Sequence, residues 1–220
     1  SKNTYSPELS DLYLLHSYIL LNKRLAVLEF GSGWSSLVIA HALMLNRKKY
    51  KDKVRNIRKK NIFELHILEN EKKYLNITKA RNKKFIGHFK GVKYHLSECK
   101  MSIYNRRYCT EYKKLPVVNP DFIYLDGPDQ FNIKNKINNF TISHNDMMPM
   151  VSDLLKIENF LIPGTIIIAD GRKANCLFLK NNFQRNWLYM HDKKSDQNIF
   201  YLDDSSLGPI NDEILKFYKN

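Results

Sequence analysis

Five polar residues stand at or just past the ends of five apolar runs: Glu29 after RLAVL, Glu69 after IFELHIL, Ser97 after VKYHL, Asp126 after DFIYL and Asp170 after TIIIA. Carboxylates in such places accept hydrogen bonds from sugar hydroxyls, bind cations or act as general bases. Behind the first of them runs GSGWSS, Gly31 to Ser36. Glycines at 31 and 33 let the backbone take positive φ angles and approach a ligand closely, and a following helix offers unpaired N–H groups. A dinucleotide turn wants a third glycine where this chain has Ser36, and it has no need of Glu29 ahead of the first. The charge of Glu29 repels a pyrophosphate and suits an ammonium or sulfonium ligand. His144, in the loop ISHNDMMPM, is a second candidate base. Arg106, Arg107 and Arg172 are candidates for pairing with a substrate phosphate or carboxylate.

The elements that must position these residues alternate. A leading helix over residues 1–21 is predicted with Ser6 as its cap and Pro7 at its first position. RLAVLEF reads as a buried strand, SSLVIAHALML as a helix, IFELHILEN as a strand ending in Glu69 and Asn70, and EKKYLNITKARNKKF as a helix. Strands VKYHLSE, DFIYLDGPDQ and TIIIADG follow. A helix is expected over MPMVSDLLKIENFL and another over RKANCLFLKNNFQ, then a closing hairpin of NWLYMHD and NIFYL and a short last helix, INDEILKFYKN. The segment CKMSIYNRRYCTEYKKLPVVNP shows no clean periodicity, and residues 131–147 read as a loop placed to cover an active site. Alternation of this kind predicts an α/β fold, a mostly parallel sheet covered on both faces, with its ligand outside the carboxyl ends of the strands.

At 220 residues the chain is the size of one domain. No segment approaches the length of a membrane span. The first ten residues, SKNTYSPELS, lack a secretory pattern, and Cys99, Cys109 and Cys176 are odd in number and widely spaced, so the expectation is a cytoplasmic protein with reduced thiols. Lys and Arg number 36 against 22 Asp and Glu, a formal charge of +14, which attracts anions such as phosphorylated metabolites or nucleic acid. Nine of the fourteen residues in RKKYKDKVRNIRKK, 47–60, are Lys or Arg. This basic insertion is either a solvated extension of the preceding helix or a landing surface for an anionic substrate.

The pattern E-x-G-x-G-x-S after the first strand, with an acid ending the second, resembles the class I S-adenosylmethionine-dependent methyltransferases over roughly residues 22 to 202. The resemblance implies a three-layer Rossmann-like fold with a seven-stranded sheet and a C-terminal antiparallel hairpin. It implies that Glu29, Gly31, Ser32, Gly33, Trp34 and Ser35 receive the methionine end of S-adenosylmethionine and that Glu69, with Asn70 beside it, takes the ribose hydroxyls. Ser97 and Glu98 then lie beside adenine, and Asp126 faces both the cofactor and the substrate. LDGPD and IPGTIIIADG further resemble small O-methyltransferases of the catechol and caffeoyl-coenzyme A type, in which acids matching Asp126 and Asp170 hold a magnesium or calcium ion. The third ligand position carries Gly171, and a Lys of some members is Asp129.

The reading from sequence is therefore a methyltransferase acting on a hydroxyl of an anionic small molecule or sugar-type metabolite, with Asp126, Asp170 and His144 as catalytic candidates. Its rivals are an RNA methyltransferase recruited through residues 47–60, a catalytically silent cofactor-binding module, and a nicotinamide-dependent dehydrogenase.

Overall fold

The computed structural model describes residues 7–87 and 89–219. In chain order it builds α1 (Leu9–Leu21), β1 (Ala26–Phe30), α2 (Trp34–Tyr50), β2 (Glu64–Glu69), α3 (Lys72–Ile86), β3 (Val92–Leu96), β4 (Cys99–Tyr104), β5 (Arg107–Tyr112), β6 (Phe122–Leu125), α4 (Asp153–Ile157), β7 (Ile166–Asp170), α5 (Lys173–Lys180), β8 (Trp187–Asp192), β9 (Gln197–Leu202) and α6 (Pro209–Lys219). Seven strands form one sheet in the order β3-β2-β1-β6-β7-β9-β8. The first five run parallel, while β9 pairs antiparallel with both β7 and β8.

Side-chain alternation along each strand divides the core. Val27, Ile67, Phe122, Tyr124 and Ile168 face α1, α2 and α3 through Leu15, Ile19, Ile39, Leu43 and Leu75. Leu28, Phe30, Ile123, Leu125 and Ile167 face the other way, onto Cys99, Met101, Tyr112, Leu154, Cys176 and Leu179. These are three layers, as expected. All three cysteines are free and buried. Among the described residues no helix is long and apolar enough to cross a membrane.

The structure corrects four local expectations. Helix α1 begins at Leu9, with extended Glu8 in the cap position; Pro7 precedes it, and Ser6 lies outside the described residues. The segment after Ser97 is not irregular: β4 and β5 pair as an antiparallel hairpin. Its turn, Asn105 and Arg106, has positive φ at both positions, the backbone that matches the twist of a two-residue hairpin. The hairpin supplies part of the second layer, and its exposed Ile103 and Tyr108 obscure its period of two. The helix expected from Met148 starts only at Asp153 and passes into a 3-10 turn, Glu158–Phe160. Residues 148–152 are instead held to β5, where the Thr110 N–H donates to the Met150 carbonyl.

The basic segment is the fourth. Helix α2 ends at Tyr50, and the chain then turns back so that Tyr50, Val54 and Ile57 pack with Leu25, Phe63 and Ile214 of α6. Lys59, nearly buried, lies 3.5 Å from the buried Asp121 carboxylate, which also accepts from the N–H groups of Leu25 and Ala26 and from the Tyr218 hydroxyl. Residues 47–50 continue α2 with Arg47, Lys48 and Lys49 exposed, so the expected solvated helical extension holds for them, whereas residues 51–60 turn back and dock at the base of the sheet through Val54, Ile57 and Lys59.

A candidate active-site cleft at the carboxyl ends of the strands

Strand β1 feeds the turn Gly31–Gly33, which opens a cleft of about 670 Å³. That volume is ordinary for a small-molecule or cofactor site. Gly31, Ser32, Gly33, Trp34 and Ser35 line it, as do Glu69, Asp126 and Asp170. Four strand ends therefore converge on one space. The turn is held on both sides. The Gly31 N–H donates to the Leu68 carbonyl at 2.8 Å, and the Ser32 hydroxyl donates to Glu69 Oε2 at 2.7 Å.

The two glycines do different work. Gly31 has φ +96°, and a Cβ there would lie 3.0 Å from the backbone of Asp126 and Gly127. Gly33 is extended, at φ −172°, so the expectation of a positive φ holds for Gly31 alone. A Cβ on Gly33 would meet only Ser35 Oγ, at 3.7 Å; the space it would fill belongs to the cleft.

Glu29 does not enter the cleft wall. It points to the α2 face of the sheet, fully buried, where the Ser35 and Ser36 hydroxyls donate to its two oxygens at 2.6 Å each. The Gly33 N–H donates to Ser36 Oγ in turn. Burial drives the Glu29 pKa up to about 8, the serine hydroxyls pulling against it. Near neutrality this is a protonated link in a hydrogen-bond chain rather than an anion facing a ligand.

Glu69 sits at the lip of β2. Oε1 accepts from the Glu71 N–H and Oε2 from Ser32, and the Asn70 N–H also bonds the carboxylate, leaving about one of its four acceptor positions open. Burial raises its pKa and those donors lower it, with a net upward shift. Asn70 lies beside it and its Oδ1 accepts from the Asp129 N–H, tying β2 to the segment after β6.

Asp126 lies at the cleft floor. Protein surrounds it, yet about half of its side chain stays accessible from above. Its pKa is raised by burial against the opposing pull of Arg172. Arg172 places Nε 3.6 Å from Asp126 Oδ1 and donates from Nη2 to the Asp126 carbonyl at 2.7 Å. Asp170 is half-buried, and its pKa rises to about 6 through burial first and then through Asp11, Asp126, Asp196 and Glu8.

These residues do not fit a divalent cation. The guanidinium of Arg172 already faces the Asp126 carboxylate, Gly171 offers no side-chain ligand, and among the described residues no group of three or more His, Cys, Asp or Glu side chains could hold a metal ion. Asp126 and Asp170 lack the third protein ligand that the catechol-type resemblance implied, and Arg172 already faces one of the two.

Ser97, Glu98 and His144 are not brought to the cleft, and Asn70, Arg106 and Arg107 do not line it either. The Ser97 hydroxyl is buried and accepts from the Lys114 N–H. Glu98 pairs with Lys113 at the surface. His144 lies on an exposed loop, its Nδ1 3.5 Å from Asp146. Of the loop over 131–147 only Phe131 lines the cleft. In their stead α3 contributes Tyr74, Ile77, Thr78 and Arg81, and α1 contributes Glu8, Asp11 and Leu12. The α3 set has the i, i+3, i+4, i+7 spacing of one helix face, a signal present in the lysine-rich helix but masked by the solvated lysines around it. The Arg81 guanidinium stacks 4.1 Å over the Trp34 ring.

The basic segment lies far from all of this. Helix α2 starts at the cleft and its 17 residues span about 25 Å, which puts residues 47–60 at the opposite end of the sheet.

No family model matches the chain, and no curated protein matches it. Solved structures do. A candidate O-methyltransferase from Klebsiella pneumoniae aligns over 92% of this chain and 84% of its own, at 14% identity and a TM-score of 0.51. The cofactor-bound protein Rv0187 from MTB aligns over the same shares at 10% identity and a TM-score of 0.51. The sheet order, the closing hairpin and these likenesses agree: the chain has the Rossmann-like fold of the class I methyltransferases, and its cleft lies where such open α/β sheets bind ligands.

Proposed function

We propose that the protein is an S-adenosylmethionine-dependent methyltransferase that acts on a hydroxyl of a small molecule without a divalent cation. The observation that carries this reading is the convergence of the Gly31–Gly33 turn, Glu69 and Asp126 on one cleft, in this fold. The bound cofactor supplies an electrophilic methyl group on a sulfonium. Gly33 leaves room for its methionine end, the remaining acceptor capacity of Glu69 suits a ribose hydroxyl, and the first turn of α2 presents unpaired N–H groups to a carboxylate.

Asp170 is the favoured general base. It opens onto the same cleft, and a pKa of about 6 lets it be ionised at neutral pH yet more basic than an ordinary carboxylate. Asp126, held by Arg172, orients the acceptor. Most of the rate advantage then comes from positioning. Recruitment of RNA through residues 47–60 has less support, because that segment is docked at the far end of the sheet.

The test is calorimetric titration with S-adenosylhomocysteine, followed by methyl transfer to hydroxyl acceptors read by mass. Micromolar binding that Glu69→Ala weakens supports the reading. A folded protein that binds neither S-adenosylmethionine nor S-adenosylhomocysteine sinks it.

A further inference from the structure

The +14 charge of the chain is not the charge of its cleft. Six of the ionisable side chains that line it are carboxylic acids, Glu8, Asp11, Glu69, Asp126, Asp129 and Asp170, against the guanidinium groups of Arg81 and Arg172. Arg81 stacks over Trp34 and Arg172 faces Asp126, although Arg81 Nη1 and Arg172 Nε and Nη1 are buried without a hydrogen-bond partner among the described residues. Three of the acids are engaged as well: Glu69 with Ser32, Asp129 with the Phe131 N–H and Asn132, and Asp126 with Arg172. Glu8, Asp11 and Asp170 have no basic partner among the described residues, and Asp11 is hydrogen-bonded to Glu8. They come from α1 and the end of β7, and they are close enough for Asp11 and Glu8 to act on Asp170. Like charges so gathered favour any cation that enters.

A second observation comes from the cleft wall. Tyr124 lines the cleft and is only 5% exposed, and its hydroxyl has no hydrogen-bond partner among the described residues. The ring is packed but its oxygen opens on the cleft, where it is available to a ligand's hydrogen bond. Opposite in character, Phe131 and Met148 also line the cleft and are exposed large hydrophobics. Apolar surface beside carboxylates suits an amphipathic cation.

We propose that the acceptor end of the cleft takes an amphipathic ammonium compound, its protonated amino group among Glu8, Asp11 and Asp170 and against the Tyr124 hydroxyl, its apolar part on Phe131 and Met148. The inference rests on the methyltransferase reading for the word acceptor and reverses the anionic substrate expected from bulk charge. The sign of the whole-chain charge reflects lysines spread over other surfaces, among them the docked basic segment.

The test titrates the protein, saturated with S-adenosylhomocysteine, with three compounds of one shape: phenethylamine, the neutral 2-phenylethanol and the anionic 3-phenylpropionate. The amine should bind at least about tenfold more tightly than the alcohol, and the acid least tightly. Asp11→Asn should cut the amine-to-alcohol ratio several-fold, as should Tyr124→Phe, with S-adenosylhomocysteine affinity unchanged in both. Equal binding of the three, tighter binding of the acid, or no binding of the amine at millimolar concentration overturns the inference. If S-adenosylhomocysteine itself does not bind, the cofactor reading fails separately, and the ranking of the three compounds on the cofactor-free protein still decides the charge of the site.

Discussion

Gly31 and Gly127 meet backbone to backbone where β1 and β6 end, so closely that a Cβ built on Gly127 would fall 2.5 Å from the Gly31 nitrogen. This contact brings the glycine turn against Asp126 and sets the cleft floor. It separates the two glycines of the turn by function. Gly31→Ala forces a side chain into both a left-handed backbone and a neighbouring strand end, and should cost about 1–3 kcal/mol of stability. Gly33→Ala should stay within about 0.5 kcal/mol of the parent but lose about tenfold or more in S-adenosylhomocysteine affinity, because its methyl group projects into ligand space. Denaturant unfolding and calorimetry measure the two effects, and a Gly33→Ala protein with undiminished affinity would show that the turn does not touch the cofactor.

The Ser32–Glu69 hydrogen bond predicts a mixed phenotype. Glu69→Ala removes the acceptor for the Ser32 hydroxyl and the Glu71 N–H, so about 1 kcal/mol of stability should go with it. Cofactor affinity should fall further, by about 1.5–3 kcal/mol, as charged hydrogen bonds to hydroxyls are lost. Glu69→Gln should recover most of the stability and less of the affinity. Equal affinity across the three proteins would place the ribose elsewhere.

Glu29 predicts a stability that depends on pH. Its pKa is about 8 in the folded protein against 4.5 for the free group, so the folded state holds a proton that the unfolded chain releases. That contribution is complete below about 4.5 and is lost as pH rises through about 8, at up to about 1.4 kcal/mol per pH unit between. Unfolding by urea at pH 5 and pH 8.5 should show the decline. Glu29→Gln, neutral at both, should flatten it; an unchanged slope in that variant would assign the decline to another group.

Asp170 predicts a pH dependence of activity with the opposite sign. A base with a pKa of about 6 is competent only when ionised, so kcat/KM should rise through about pH 6 and level above it. Asp170→Asn should lower kcat by about 10²–10⁴-fold and abolish that limb, with S-adenosylhomocysteine affinity retained. A limb that survives in Asp170→Asn belongs to a different acid.

The basic segment should matter to folding and not to ligand binding. Ile57→Ala removes a packed side chain from the cluster with Leu25, Phe63 and Ile214 and should cost about 2–4 kcal/mol. Lys53→Ala, at an exposed position, should change stability by less than about 0.5 kcal/mol. Neither should alter cofactor affinity at temperatures where the protein is folded, because about 25 Å of α2 separates the segment from the cleft. A large loss of affinity in Lys53→Ala would contradict that separation.

The alternation of buried strands and helices was legible from residue order alone, and with it the parallel sheet, the strand-end cleft and the places of Gly31, Glu69, Asp126 and Asp170. These follow from period, from apolar runs and from Gly and Pro at their ends, all of which are local. The hairpin β4–β5 was not legible, since its turn needs positive φ at Asn105 and Arg106 and neither is glycine. Nor was the role of the basic segment, whose three packed residues are lost among nine charges.

What only the tertiary structure decided is which way each polar strand end points and what charge the cleft carries. Glu29 and Glu69 look alike in sequence, acids closing neighbouring strands. One is turned beneath the cleft onto Ser35 and Ser36, and the other stands at its lip beside Ser32. The sign of the site is likewise set by the meeting of α1 with β6 and β7, which lie more than a hundred residues further along the chain. Net charge sums over the whole chain, whereas a bound ligand feels mostly the groups within about 10 Å of it, because salt and water screen the rest.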